Sequence, residues 1–318
     1  MIDRIEAIYT GDMRICSLLP SATEIVYALD LGDQLVGVSH ACDYPDDAAT
    51  KPVVSQSVRQ ITHLSSEEID GIVRQARANS NPLYWIDGDL LRELKPDLII
   101  TQELCEVCAI DSGSVFETSA KVLDYQPEIL TIRPNFVADI LQNVRNIASC
   151  AGVSQRGDEV ADSLQGRIQA VVDGVAKEGT RPRVLCLDWL DPLRNTGQWV
   201  PELVELAGGA ERLAVAGGFS RELTWEEIIG YAPEYLMVMP CGYGPGRVRQ
   251  DASEKLTHLK GWDELPAVKL DQVFLFDGRI PTRHGPRVVE VLEGLAAAMH
   301  PQRFGDITSY EVFVKERL

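Results

Sequence analysis

Two patterns alternate along the chain. Short apolar runs are followed by stretches in which apolar residues recur every three or four positions. The first run, Arg14-Ile15-Cys16-Ser17-Leu18-Leu19, predicts a strand. Pro20-Ser21-Ala22-Thr23-Glu24 then opens a helix reaching Leu29, with Ser21 or Thr23 as its cap and Glu24 in the dipole-favoured first turn. Leu35 to Val38, Asp97 to Thr101 and Glu128 to Ile132 predict three further strands. Strands alternating with helices imply a parallel sheet covered on both faces.

The pattern changes from about Phe136 to Glu178. Apolar residues recur at Val137, Ile140, Leu141, Val144 and Ile147, then at Val160, Leu164, Ile168, Val171, Val172 and Val175. That is helical spacing, and Gly152 breaks it, so two helices are expected, the second long and acting as a connector. After Pro182 the alternation resumes. Val184 to Leu187, Tyr235 to Met239 and Gln272 to Phe276 predict strands, Leu203 to Leu206 a helix, and Pro286 to Met299 a final helix. The fold class is therefore α/β, with an N-terminal lobe over residues 1–135, a helical connector over 136–180 and a C-terminal lobe over 181–318. Two such lobes joined by a long helix enclose a cleft, where small ligands usually bind.

The halves also resemble each other. The segment from Asp89 through Pro96 to Ile100 can be laid on Glu226 through Pro233 to Met237. Each copy has an acid at a helix start, a short helix, a proline stop and a strand.

Composition narrows the function. The chain has 318 residues, 45% hydrophobic and 25% charged, which suits a globular protein with a real core. Its net charge of -18 argues against non-specific nucleic-acid binding. No stretch is apolar enough to span a bilayer. The first twelve residues lack the basic, apolar and small-residue regions of a leader. As it stands the chain predicts a cytoplasmic protein, or an extracytoplasmic one from which a leader has been removed.

Seven cysteines leave at least one outside any intramolecular pair. Cys16, Cys150, Cys186 and Cys241 sit in or beside apolar runs and read as buried thiols, which fits a reducing compartment. Cys105 and Cys108 form a CxxC after a strand. It can hold metal, do redox chemistry or simply build a loop. His40, Cys42 and Glu103 are its possible partners, since no second CxxC exists.

Other candidates lie in loops after strands, where open α/β sheets carry ligand contacts. Ser39 to Pro45 holds His40, able to ligate a metal within a ligand or to serve as a hydrogen-bonded loop residue, and the turn Asp43-Tyr44-Pro45. Tyr84, Trp85, Trp189, Trp199, Phe219, Trp225 and Tyr243 are aromatics of which two or three are expected to wall the cleft. Cys241 to Arg247 is rich in glycine but lacks the lysine of a phosphate loop. Arg247, Arg279, Arg283 and Arg287 suit a carboxylate or phosphate, and His284 adjoins Arg283. No nucleophile elbow or zinc-protease motif is present, and the expectation is a binding protein, not an enzyme.

Ser17 to Glu24, Gly37 to Pro45, Lys95 to Cys108, Gly197 to Gly209, Met239 to Gly242 and Gly285 to Arg287 together carry a family resemblance. From Arg14 to about Phe304 the chain resembles the vitamin B12-type periplasmic binding proteins of ABC importers, in the helical-backbone metal receptor superfamily. The resemblance implies two Rossmann-like lobes bridged by a rigid helix, no intrinsic cofactor, and a corrinoid, haem or iron-siderophore ligand between the lobes. It also implies an acid on each lobe, at Asp89 and Glu226, that docks onto arginines of an ABC permease. The segment from about Ser57 to Asn81 looks inserted, with a helix near Asp70, Ile72 and Val73 beside Tyr84-Trp85. A cobalamin-like corrinoid is the leading ligand, haem or a siderophore the alternative. A metal- or thiol-dependent redox protein using Cys105 and Cys108 is the alternative of another class.

Overall fold

The computed structural model describes residues 13–59, 63–79, 81–102, 112–177, 179, 181–306 and 313–314. Along the chain run β1 (Ile15–Ser17), α1 (Pro20–Ala28), β2 (Leu35–Ser39), β3 (Val53–Ser57), α2 (Ser66–Ala78), β4 (Tyr84–Ile86), α3 (Gly88–Leu94), β5 (Leu98–Gln102), α4 (Ser112–Val122) and β6 (Glu128–Ile132). Then follow α5 (Val137–Cys150), α6 (Ser154–Val175), β7 (Arg183–Leu190), β8 (Leu193–Asn195), α7 (Val200–Leu206), β9 (Ala210–Glu211), α8 (Trp225–Tyr231), β10 (Tyr235–Val238), α9 (Pro245–Leu256), α10 (Pro266–Lys269), β11 (Val273–Phe276), α11 (Val288–Met299) and, near the end, β12 (Phe313–Val314).

The chain forms two compact units. The first comprises residues 1–60, 82–133 and 142–161, the second 61–81, 134–141 and 162–318. This division differs from the boundaries expected from sequence. Residues 61–81 group with the C-terminal unit, and the division falls inside α5 and α6.

In the first unit the strand order is β4-β3-β2-β1-β5-β6. Every neighbouring pair is parallel except β3 and β4, which are antiparallel. The central strands β1 and β5 are buried throughout, as expected for strands covered on both faces. The anticipated cap of α1 is not made. Pro20 fills the first helical position, and Thr23 instead donates to the Leu19 carbonyl and to the Ser17 hydroxyl at 2.9 Å.

In the second unit the order is β12-β11-β10-β7-β8, with β9 also pairing with β7. Its centre, β11-β10-β7, is parallel. Leu185, Leu187, Ile228, Leu236, Val248 and Leu275 share one core, and Ile69 of α2 belongs to it.

The internal repeat is structural. Helices α3 and α8 are both seven residues long and both end on a left-handed residue, Lys95 and Ala232, before a proline. In the first unit Arg14 donates from its backbone to Asp97 at 2.9 Å and from Nε to the Leu94 carbonyl at 2.7 Å. In the second, Arg183 donates likewise to Glu234 and to the Ala232 carbonyl, both at 2.9 Å. The same arginine and acid lock each helix end to its sheet.

Candidate functional site

In the first unit the site begins with the hydroxyl-rich end of β1. Thr23 donates to the Ser17 hydroxyl and reaches Cys42 Sγ at 3.1 Å, and Ser39 Oγ lies 3.2 Å from the same sulfur. These buried groups hold the loop after β2 from beneath. Cys42 is thus a packing residue, which takes it out of any metal set with His40. His40, at the carboxyl end of β2, is exposed. Its backbone N–H donates to the Ser55 carbonyl at 3.0 Å, and its Nδ1 lies 3.2 Å from the same oxygen. Partial burial of the ring lowers its pKa, against a smaller opposing effect of the Ser55 bond. The Tyr84 ring sits 5.5 Å from the imidazole, tilted by 31°. Tyr44 is exposed on the same loop and Asp43 is half-buried. Trp85 is also exposed, but successive strand residues face opposite sides, so β4 turns it away from the face of Tyr84. Glu103, Cys105 and Cys108 lie outside the described residues.

In the second unit the sequence-selected residues separate into three groups. Trp199 and His284, expected as ligand contacts, are packing residues. Trp199 is 3% exposed, donates to the Pro281 carbonyl at 3.0 Å and meets the His284 ring edge-on at 5.5 Å. Burial pushes the His284 pKa down to about 4.

Trp189, Tyr243 and Arg247 do come together, but they seat α2. The Trp189 and Tyr243 rings lie 5.2 Å apart, and the Arg247 guanidinium sits 4.5 Å above the Tyr243 ring. Arg247 donates to the Leu64 carbonyl at 2.6 Å and to Asp251 at 2.8 Å. Ser66, buried at the start of α2, donates to Asp251 and lies 3.3 Å from the Tyr243 hydroxyl. Farther along, Arg194 joins Asp70 to Glu222. Sequence reasoning assigned these aromatics and this arginine to the ligand because it had no signal that Leu64, Ser66 and Ile69 would pack on them. Arg279 is likewise committed, to Asp277 at 2.6 Å, and Arg283 is half-buried.

The third group is an apolar surface around Phe219, which is 71% exposed. Val215 and Phe136 are exposed beside it, and neither was singled out from sequence. The Phe136 ring packs against Gly217, where φ is 75°. Gln198 and residues 217–218 exchange backbone hydrogen bonds of 2.6 and 2.8 Å. The signal available in the sequence was Ala216-Gly-Gly-Phe219, small residues leaving an aromatic with nothing to pack on.

Asp89 and Glu226 are the exposed second residues of α3 and α8. Asp87 caps the first helix, accepting from Leu90 at 3.0 Å, and Thr224 with Glu227 forms a capping box on the second. Capping is therefore supplied by their neighbours. A depression lined by Met13, Asp97, Tyr125, Gln126, Pro127 and Glu128 lies at the amino ends of β5 and β6. Ligands of open α/β sheets bind at the carboxyl ends, so it is not the candidate site.

Cys16 and Cys186 are buried, and burial raises the pKa of both thiols. Cys150 and Cys241 are half-buried. Among the described residues no helix is long and apolar enough to cross a membrane, and no cluster of His, Cys, Asp and Glu is arranged to hold a metal ion.

Known proteins share this architecture over nearly its whole length. An ABC transporter substrate-binding lipoprotein of Bacillus subtilis, YvrC, is 24% identical over 297 residues, covering 92% of this chain and 81% of its own. A vitamin B12-binding protein of Vibrio cholerae (El Tor Inaba) is 23% identical over 289 residues, covering 88% and 86%. Among solved structures, the periplasmic heme-binding protein RhuT from Roseiflexus matches with a TM-score of 0.69 at 23% identity, covering 93% of this chain and 99% of its own. The vitamin B12-binding protein BtuF of Vibrio cholerae matches with a TM-score of 0.64 at 22% identity, covering 90% and 96%. The periplasmic binding protein family matches residues 15–280, and the chain belongs to that family.

Proposed function

We propose that the chain is a substrate-binding protein for a cobalamin-like corrinoid, and that it hands this ligand to an ABC permease. The observation that carries the reading is the His40-Tyr84 pair, with exposed Tyr44, at the carboxyl ends of β2 and β3. An aromatic face and a basic nitrogen suit a flat macrocycle holding a metal. Membership of a binding-protein family and the vitamin B12-binding relatives support the same chemistry. Asp89 and Glu226 serve as docking acids, exposed at equivalent places in the two units and not needed as caps. The relatives are named as lipoprotein or periplasmic, which supports an extracytoplasmic place of work over the cytoplasmic one expected from the N-terminus.

Haem is the second reading, favoured by the three heme-binding proteins among the structural neighbours. Quenching of tryptophan fluorescence by cyanocobalamin, haemin and a ferric siderophore in parallel separates the ligands. Tightest binding of cyanocobalamin supports the corrinoid reading. Tighter haemin binding replaces it with haem, and binding of the siderophore alone overturns both.

A further inference from the structure

We propose that α2 is a charge-held lid on the ligand-taking edge of the second unit, and that bound ligand displaces it. The inference rests on the functional reading above and adds a closed state to it. Open α/β sheets take ligands at the carboxyl ends of their strands. In the second unit Trp189 stands near the carboxyl end of β7, and Tyr243 and Arg247 follow β10. A polar stripe of α2 sits there. Ser66, Asp70 and Arg74 are spaced four apart, so they share one side of the helix. Ser66 donates to Asp251 and lies 3.3 Å from the Tyr243 hydroxyl, and the Leu64 carbonyl just before the helix accepts from Arg247 at 2.6 Å. One turn on, Asp70 accepts from Arg194 at 3.3 Å, and a further turn on Arg74 pairs with Glu222. Arg74 also pairs with Asp70 at 2.5 Å and Arg194 with Glu222 at 2.8 Å, which closes a ring of alternating charge.

These contacts are suited to being broken and remade. Of the thirteen residues of α2 only Ser66, Ile69 and Ala76 are buried, so one large apolar side chain anchors the helix. The Arg74 and Glu222 side chains are 56% and 49% exposed, which leaves their attraction screened by water and salt. Separation strands no charge. Arg194 keeps Glu222, Arg247 keeps Asp251, and Asp70 keeps Arg74 within the helix. The capping box of Ser65 and Glu68 satisfies the start of α2 from its own residues, so the helix end does not depend on the seat. What α2 uncovers is a surface of binding character. The Trp189 and Tyr243 rings lie 5.2 Å apart, with the Arg247 guanidinium 4.5 Å above the Tyr243 ring.

The test follows the lid and the ligand separately. Hydrogen exchange of the wild type is measured with and without cyanocobalamin, and again with haemin. Affinity for both probes is then compared between wild type and the double variant Asp70→Asn/Arg74→Gln, with thermal unfolding confirming that the variant folds. The variant removes the helix's half of the ring and leaves Arg194 with Glu222. Ligand is expected to speed exchange in residues 66–78 of the wild type. The variant should bind the same ligand about threefold or more tighter, because the closed state competes less. That difference should shrink as salt is raised. Should the variant not fold, the wild-type exchange decides alone. Slower or unchanged exchange in residues 66–78 on binding, or a folded variant that binds no tighter, overturns the inference and leaves the binding function standing. If neither folded protein binds either probe, the functional reading falls, and the inference with it.

Discussion

Single residues decide how firmly the candidate surfaces are held. Glu211 is the clearest case. Its carboxylate accepts from Cys186 N at 3.0 Å and from Leu213 N at 2.9 Å, tying β7 to the segment that leads to Phe219. Burial raises its pKa to about 7 despite those bonds. The folded state therefore holds a proton that the unfolded state has released above its ordinary value of 4.5. Stability contributed by this group is greatest at low pH. It falls as pH rises from 4.5 through 7, by about 1.4 kcal/mol for each pH step of one in that window. Urea unfolding across that window should show Glu211→Gln with a flatter pH dependence than wild type. Parallel curves would assign the pH dependence elsewhere. Gly197 is the second case. A Cβ there would stand 2.6 Å from the Gly218 oxygen and the Ser220 nitrogen. Gly197→Ala should cost about 1–3 kcal/mol, read as a lower urea midpoint, by pushing apart the segment that carries Phe219. A variant as stable as wild type would mean that the loop shifts freely.

At the scale of elements, α2 is the least ordinary feature. It leaves the edge of one sheet between β3 and β4 and finds its core partners in the second unit through Ile69. Its start rests on a polar seat in which Asp251 neutralises Arg247 and accepts from Ser66. Asp251→Ala removes both interactions and should cost about 2–3 kcal/mol. Hydrogen exchange should then rise first in residues 66–78. Uniform loss of protection would show that the seat supports the whole unit instead. Most elements were legible in the sequence because apolar runs and helical spacing report burial directly. The strand over 128–132 and the break at Gly152 appear as expected. The strands at 53–57 and 84–86 were missed. The first has two valines followed by three polar residues and the second is only three residues long at the sheet edge, so neither shows a long apolar run. The exposure of the candidate site residues was legible only in part. Position after a strand singled out His40 and Tyr44, which lie exposed beyond β2. It failed for Trp199 and His284, because loop position says nothing about what folds over a side chain. It failed for Tyr243 and Arg247 for the same reason.

For the whole molecule, the repeat sets the symmetry of the proposed docking. The same Arg–acid lock and the same seven-residue helix recur in both units, each presenting one exposed acid. Replacing Asp89 and Glu226 by lysine should weaken permease binding while leaving ligand affinity within twofold, since neither residue caps its helix. Equal loss of both would make them structural. The central claim, that the folded chain is a corrinoid receptor, is tested most directly by calorimetric titration of the purified protein with cyanocobalamin at several temperatures. The account predicts saturable binding of one ligand per chain, with affinity in the micromolar range or tighter and a negative heat-capacity change from buried apolar surface. No saturable heat at any temperature, with no ligand-induced rise in the unfolding midpoint, would contradict it.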